Sequence, residues 1–204
     1  MNKQLHVIST GQQSQEILIS KIEMIHKEID AIHLREKKWS ANQLIVTIQY
    51  LNSVGVPLEK IIINDRVDVA YIMETGGAHL AYHSIDISFV RDAFPNLQIG
   101  CSVHSIKEAI EAEVKGADYL FYGHIYETSS KSGIPPKGIE HLEYLKQQVS
   151  IPIITIGGIT PENTEKIIQK GVAGIAVMSG ILLNSHPEEA VKKYREILDK
   201  GDKH

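Results

Sequence analysis

With a single cysteine, Cys101, among its 204 residues, the chain cannot form an internal disulfide. Stability must come from a packed interior. At this length one compact core buries roughly 70% of the unfolded surface, so no structural metal is needed either. No stretch approaches the ~18 uninterrupted apolar residues of a membrane span. The opening MNKQLHVIST also lacks the apolar core of a secretory signal. A lone thiol with such a start fits a reducing compartment, and a cytoplasmic protein is expected. Positive charge is not in excess, since 21 Lys+Arg face 25 Asp+Glu for a net charge of -4. That balance argues against a nucleic-acid partner, whose phosphates call for a basic surface. With no membrane or nucleic acid implied, a small-molecule ligand is the expected partner. There is no linker or low-complexity tract, so one domain spanning residues 1–204 is expected, and a homo-oligomer is compatible with it.

What the chain does have is alternation. Apolar runs rich in branched residues are followed by longer amphipathic stretches, eight times over. The runs are 5–9, 31–35, 60–63, 78–81, 97–102, 118–123, 152–156 and 174–177. The helical stretches are 14–27, 40–53, 67–74, 87–94, 105–115, 138–148, one opening at Thr160-Pro161, and 187–199. Ser105 with Glu108 reads as a capping box, and Thr160 as an N-cap followed by proline at the first helical position. Strand–helix alternation implies parallel strands joined by crossover helices, and eight repeats allow closure into a (β/α)8 TIM barrel. The rival, an open doubly wound sheet, lacks its dinucleotide fingerprint, because Gly157-Gly158 does not extend to GxGxxG.

In such a barrel function sits past the C-terminal strand ends. After strand two, Arg35 and Lys37 fall two apart on one side of an extended chain and read as a grip for phosphate or carboxylate, or as a solvated basic loop. Strand three ends in Asn64-Asp65, a ligand site or an Asx turn. Strand five ends in Ser102-Val103-His104, where His104 reads as a satisfied polar residue. The sixth opens a long polar loop holding Thr128, Ser130 and Lys131, donors suited to an anionic oxygen. His124, directly after a glycine, is the candidate for proton transfer because imidazole titrates near neutrality; the alternative is a structural histidine bonded to a loop carbonyl. Strands seven and eight end in Gly157-Gly158 and Met178-Ser179-Gly180. Paired glycines and a short helix from Ser179 read as a phosphate site.

Seven segments in order, HLREKK, IINDRVDVA, GGAHL, IGCSVHS, GADYLFYGHIYETSSKSG, IPIITIGGI and GIAVMSGI, resemble the thiamin phosphate synthase superfamily of (β/α)8 barrels. The resemblance implies thiamin biosynthesis and a phosphorylated thiazole ligand. In that group the synthases join a pyrimidine diphosphate to a thiazole phosphate with magnesium, while thiazole tautomerases of the TenI group aromatise the thiazole phosphate carboxylate by a proton shift. Departures separate the two. Synthases read QLR where this chain has His33-Leu34-Arg35, and HLGQxD where it has His79-Leu80-Ala81-Tyr82-His83-Ser84. Ser84 thus replaces a metal-binding aspartate, the next carboxylate being Asp86, and Asp65 alone makes a poor magnesium site. Synthases also read GPxFxTxTK where His124 now follows Gly123.

The resemblance therefore implies an isomerase in which His124 moves the proton without metal or organic cofactor. Arg35, Lys37, Asn64, Ser102, Thr128, Ser130 and Lys131 would hold the substrate, and Gly157, Gly158, Met178, Ser179 and Gly180 its phosphate. A magnesium-dependent synthase and a non-catalytic regulator that binds a phosphorylated ligand are the alternatives.

Overall fold

In the computed structural model, which describes residues 2–201, eight parallel strands close into a barrel in sequence order. They are β1 (Gln4–Ile8), β2 (Ala31–Leu34), β3 (Ile61–Asn64), β4 (Gly77–Leu80), β5 (Ile99–Val103), β6 (Tyr119–Gly123), β7 (Ile153–Ile156) and β8 (Gly174–Val177). β1 pairs with β8, with Leu5 opposite Ile175 and Val7 opposite Val177, and this closure excludes the open sheet. The helices are α1 (Gln15–Ile25), α2 (Ala41–Ser53), α3 (Val67–Ile72), α4 (Ile87–Ala93), α5 (Ile106–Val114), α6 (Leu142–Gln148), α7 (Pro161–Ile168), α8 (Ser179–Leu182) and α9 (Pro187–Gly201).

Strands buried on both faces need apolar residues at every position, and period-two alternation sorts those residues into two cores. Outward-facing Leu5, Val7, Ile32, Leu34, Ile61, Ile63 and Leu120 pack beneath the helices in one large cluster. Inward-facing Ile8, Tyr119, Phe121, Ile154 and Ala176 fill the barrel in a second. Local signals start the helices. Ser14 accepts from the Ile17 amide, Ser40 and Gln43 form a reciprocal capping box, and Thr160 pairs the same way with Asn163 ahead of Pro161. At Ser105 the box is shifted by one residue, because Glu108 reaches the His104 amide at 2.8 Å rather than that of Ser105.

Several expected boundaries move. The segment from Gly138 begins as a turn, since the Lys137 and Gly138 amides bond back to the carbonyls of His124 and Ile125, and α6 starts only at Leu142. Leu97 closes a turn onto Phe94, so β5 begins at Ile99, and Lys60 ends a 3-10 turn before β3. Beyond Leu34 the chain does not stay extended. It turns at Lys37-Lys38, closed by a bond from the Trp39 amide to the Glu36 carbonyl. Among the described residues no helix is long and apolar enough to cross a membrane.

Candidate active site at the barrel mouth

A cavity of about 740 Å³ opens at the C-terminal ends of the strands. Its lining includes Arg35, Lys37, Asn64, Ser102, His124, Thr128, Ser130 and Lys131, together with Gly157, Gly158, Met178, Ser179 and Gly180. Every candidate drawn from the strand ends therefore reaches one space. Arg35 and Lys37 meet it even though the chain between them turns.

β6 and the loop after it supply the proton-transfer candidate. His124 is buried, follows a cis peptide from Gly123, and places Nε2 3.1 Å from the Ile134 carbonyl oxygen. A carbonyl only accepts, so Nε2 carries a hydrogen, and in the neutral ring the lone pair is then on Nδ1. The structural reading of this histidine is present, since it ties down a loop carbonyl, and the residue also lines the cavity. Gly157 and Gly158 adopt φ of 99° and 66°. A Cβ on Gly157 would lie 2.2 Å from that of His124, and one on Gly158 2.4 Å from the Glu127 carbonyl oxygen. These glycines therefore do more than open a ligand wall; they let the His124 loop pack onto the end of β7.

The polar loop is anchored across the mouth. Lys131 Nζ donates to His104 Nε2 at 2.6 Å, so His104 is a docking point rather than a free catalyst. Burial and then the Lys131 charge lower the His104 pKa, while burial and then Lys137 lower that of Lys131, which keeps the imidazole available as an acceptor. Asn64 Oδ1 is buried without a partner among the described residues, an acceptor at the edge of the cavity.

Metal-holding residues are poorly placed. The Asp65 carboxylate accepts from Ser84 Oγ and lies 3.3 Å from His83 Nε2. Asp86 does not line the cavity; it caps α4 and pairs with Lys115 Nζ at 2.6 Å, which pulls its pKa down to about 2. Among the described residues no group of three or more His, Cys, Asp or Glu could hold a metal ion.

Three further features are not among the candidate site residues legible in the sequence. Glu127 and Tyr194 also line the cavity, the latter reaching from α9 with its hydroxyl on the Ile159 carbonyl at 3.1 Å. Buried His79 also lines the cavity, while buried His6 and His33 lie in the barrel outside that lining. Their signal was present, as a histidine inside each of three otherwise apolar strands.

Comparison with known proteins agrees with this architecture. A family model described as thiamine monophosphate synthase matches residues 5–181. The thiamine-phosphate synthase of Chlorobium luteolum is 38% identical over 174 residues, 82% of this chain and 81% of that protein. That of Pyrococcus abyssi is 40% identical over 137 residues, 67% of this chain but 66% of the relative, just under two thirds of its length. The solved thiamine phosphate pyrophosphorylase of Pyrococcus furiosus superposes with a TM-score of 0.82 at 30% identity, covering 97% of this chain and 96% of that one. The family match begins in β1, ends in α8 and takes in every cavity-lining residue named above except Tyr194, and by it the chain belongs to the thiamine monophosphate synthase family.

Proposed function

We propose that this family member is a thiazole tautomerase, an isomerase acting on a thiazole phosphate carboxylate in thiamin biosynthesis. The observation that carries the reading is His124, buried at the cavity wall with Nε2–H held by the Ile134 carbonyl. Nδ1 takes the ring C–H proton, and the electron pair moves through the ring to the exocyclic double bond. The imidazolium then delivers the proton to the exocyclic carbon, completing the aromatic ring. The Ile134 carbonyl favours the imidazolium as it forms, and aromaticity supplies the driving force, so a positioned base and acid suffice. The β7 and β8 ends at Gly157, Gly158, Met178, Ser179 and Gly180 hold the phosphate, and Arg35 holds the carboxylate through its planar fork.

The synthase reading is favoured by relatives named thiamine-phosphate synthase, among them those of Pyrococcus abyssi and Chlorobium luteolum. Two observations weigh against it. Where synthases carry a glutamine this chain has His33, fully buried against His6 and absent from the cavity lining. Magnesium would find Asp65 already engaged by Ser84 and His83, and Asp86 turned to Lys115. The residues present do not fit the ion.

Incubation with the carboxylated thiazole tautomer, followed by absorbance and proton exchange, tests the reading. Aromatisation should outpace the buffer reaction and run at the same rate with excess chelator as with added magnesium. No acceleration, or a strict magnesium requirement together with consumption of the pyrimidine diphosphate, would return the chain to the synthases.

A further inference from the structure

The three buried histidines belong to two hydrogen-bonded groups. His6 Nε2 lies 3.1 Å from Gln4 Oε1, and its Nδ1 lies 2.9 Å from His33 Nε2. The chain of donors runs from His33 to His6 to exposed Gln4, and its inner end leaves His33 Nδ1 as a lone pair without a partner among the described residues. His79 belongs to the other group, which leads up to the cavity. Its Nε2 is 2.8 Å from Ser102 Oγ, and its Nδ1 is 3.3 Å from the Tyr119 hydroxyl.

Donor and acceptor roles in this second group follow from counting hydrogens. Burial pushes His79 down to about 3 and the Tyr119 phenol upward, so near neutral pH the ring is uncharged and the phenol keeps its proton. A neutral imidazole has one donor nitrogen and one acceptor nitrogen. Were the hydrogen on Nδ1, the Tyr119 hydroxyl would become a buried donor with no acceptor, an arrangement proteins avoid. With the hydrogen on Nε2 both groups are satisfied: Tyr119 donates to Nδ1, and Nε2–H donates to Ser102 Oγ. The Ser102 hydrogen is then spare. Ser102 lines the cavity whereas Tyr119 does not.

We propose that Tyr119 is a positioning residue that, acting through His79, presents the Ser102 hydroxyl as a hydrogen-bond donor to a carboxylate oxygen of the bound ligand. The choice of a carboxylate rests on the proposed thiazole phosphate carboxylate reading, and an anionic acceptor is the strongest partner for such a donor. The surroundings keep the relay in place. A Cβ at Gly100 would fall 2.4 Å from the Tyr119 hydroxyl oxygen and 2.6 Å from His79 Nδ1, so only glycine leaves the pair in contact. Phe121 packs on the His79 ring with centroids 4.3 Å apart and restrains its rotation.

Two measurements test the proposal. Long-range proton–nitrogen NMR of the ligand-free wild-type protein should find His79 as the Nε2–H tautomer; the Nδ1–H tautomer would overturn the relay without any variant. Calorimetry should then compare two probes, the aromatic thiazole phosphate carboxylate and the same phosphate lacking the carboxylate. Tyr119→Phe and Ser102→Ala should each weaken the first probe by about tenfold, the scale of a hydrogen bond to a charged group, and leave the second unchanged. Equal weakening of both probes, or of neither, would reduce Tyr119 to a packing role. Because neither readout uses turnover, failure of the tautomerase reading shows separately, as absent aromatisation with the carboxylate selectivity intact.

Discussion

On the proposed reading His124 carries two duties that a substitution can separate. A glutamine at this position can donate its amide N–H to the Ile134 carbonyl, which His124 Nε2 now reaches at 3.1 Å, but it offers no basic nitrogen. His124→Gln should therefore keep the loop anchored and the thiazole phosphate affinity unchanged while turnover falls roughly 10²- to 10⁴-fold, the usual share of general acid–base catalysis. Steady-state kinetics beside calorimetry checks this, and a joint fall in affinity and rate would assign the histidine to structure alone. Gly157 is tied to the same residue from the opposite side. Alanine there would hold φ of 99° and bring its Cβ to 2.2 Å from that of His124. Backbone strain and overlap together should cost more than about 2 kcal/mol. Gly133→Ala, with nothing within 4 Å of the added carbon, is the comparison and should cost less in thermal unfolding.

At the scale of elements, the β6–α6 connection is the longest departure from an otherwise economical barrel, and it is held at both ends and in the middle. Its exit is sewn to its own entry just past β6, the Lys137 and Gly138 amides bonding the His124 and Ile125 carbonyls. Its middle is tied by Lys131 Nζ on His104 Nε2 at 2.6 Å. His104→Leu removes that acceptor while keeping an apolar body at the end of β5. We expect limited proteolysis within residues 129–133 to accelerate in the variant, because an ammonium without its acceptor leaves only local turns to hold that stretch, the Ile134 carbonyl and the Lys137 amide still being bonded to His124. Cleavage at the wild-type rate would show that the bonds back to His124 and Ile125 suffice. How far ligand affinity follows the loop then measures what Thr128, Ser130 and Lys131 contribute.

For the whole molecule, the buried histidines predict acid lability. Burial lowers His6 to about 4 and His79 to about 3, and lowers His33 well below its ordinary value, with Asp30 opposing the shift only at His6. Below pH ~6.5 the unfolded chain takes up protons at these positions and the folded one does not, so stability rises with pH across this window and is lost as pH falls. Each such histidine removes up to about 1.4 kcal/mol per pH unit, against the ~5–15 kcal/mol that holds a typical domain folded. The melting temperature should drop steeply from pH 6 to about 4.5, above the range where carboxylates such as Asp86, lowered to about 2, begin to protonate. A flat profile across that window would mean that the histidines are not held neutral in the folded barrel.

Local chemistry was enough to read the repeating plan. Branched residues on both faces of eight short runs demanded parallel strands covered by helices. Ser105, Thr160 and Pro161 marked helix starts through bonds made within a turn, and barrel topology alone made the strand ends the candidate site. Other features depended on groups brought together from distant parts of the chain. Which histidines meet is set by inter-strand register, with His79 reaching Tyr119 and Ser102 across β4, β5 and β6. The turn at Lys37 that still leaves it beside Arg35 at the cavity, the docking of Lys131 on His104, and the pressing of Gly157 against His124 are likewise contacts between elements. Propensity and periodicity act over a few residues, whereas these contacts exist only once β1 has closed on β8, so the tertiary structure alone decided them.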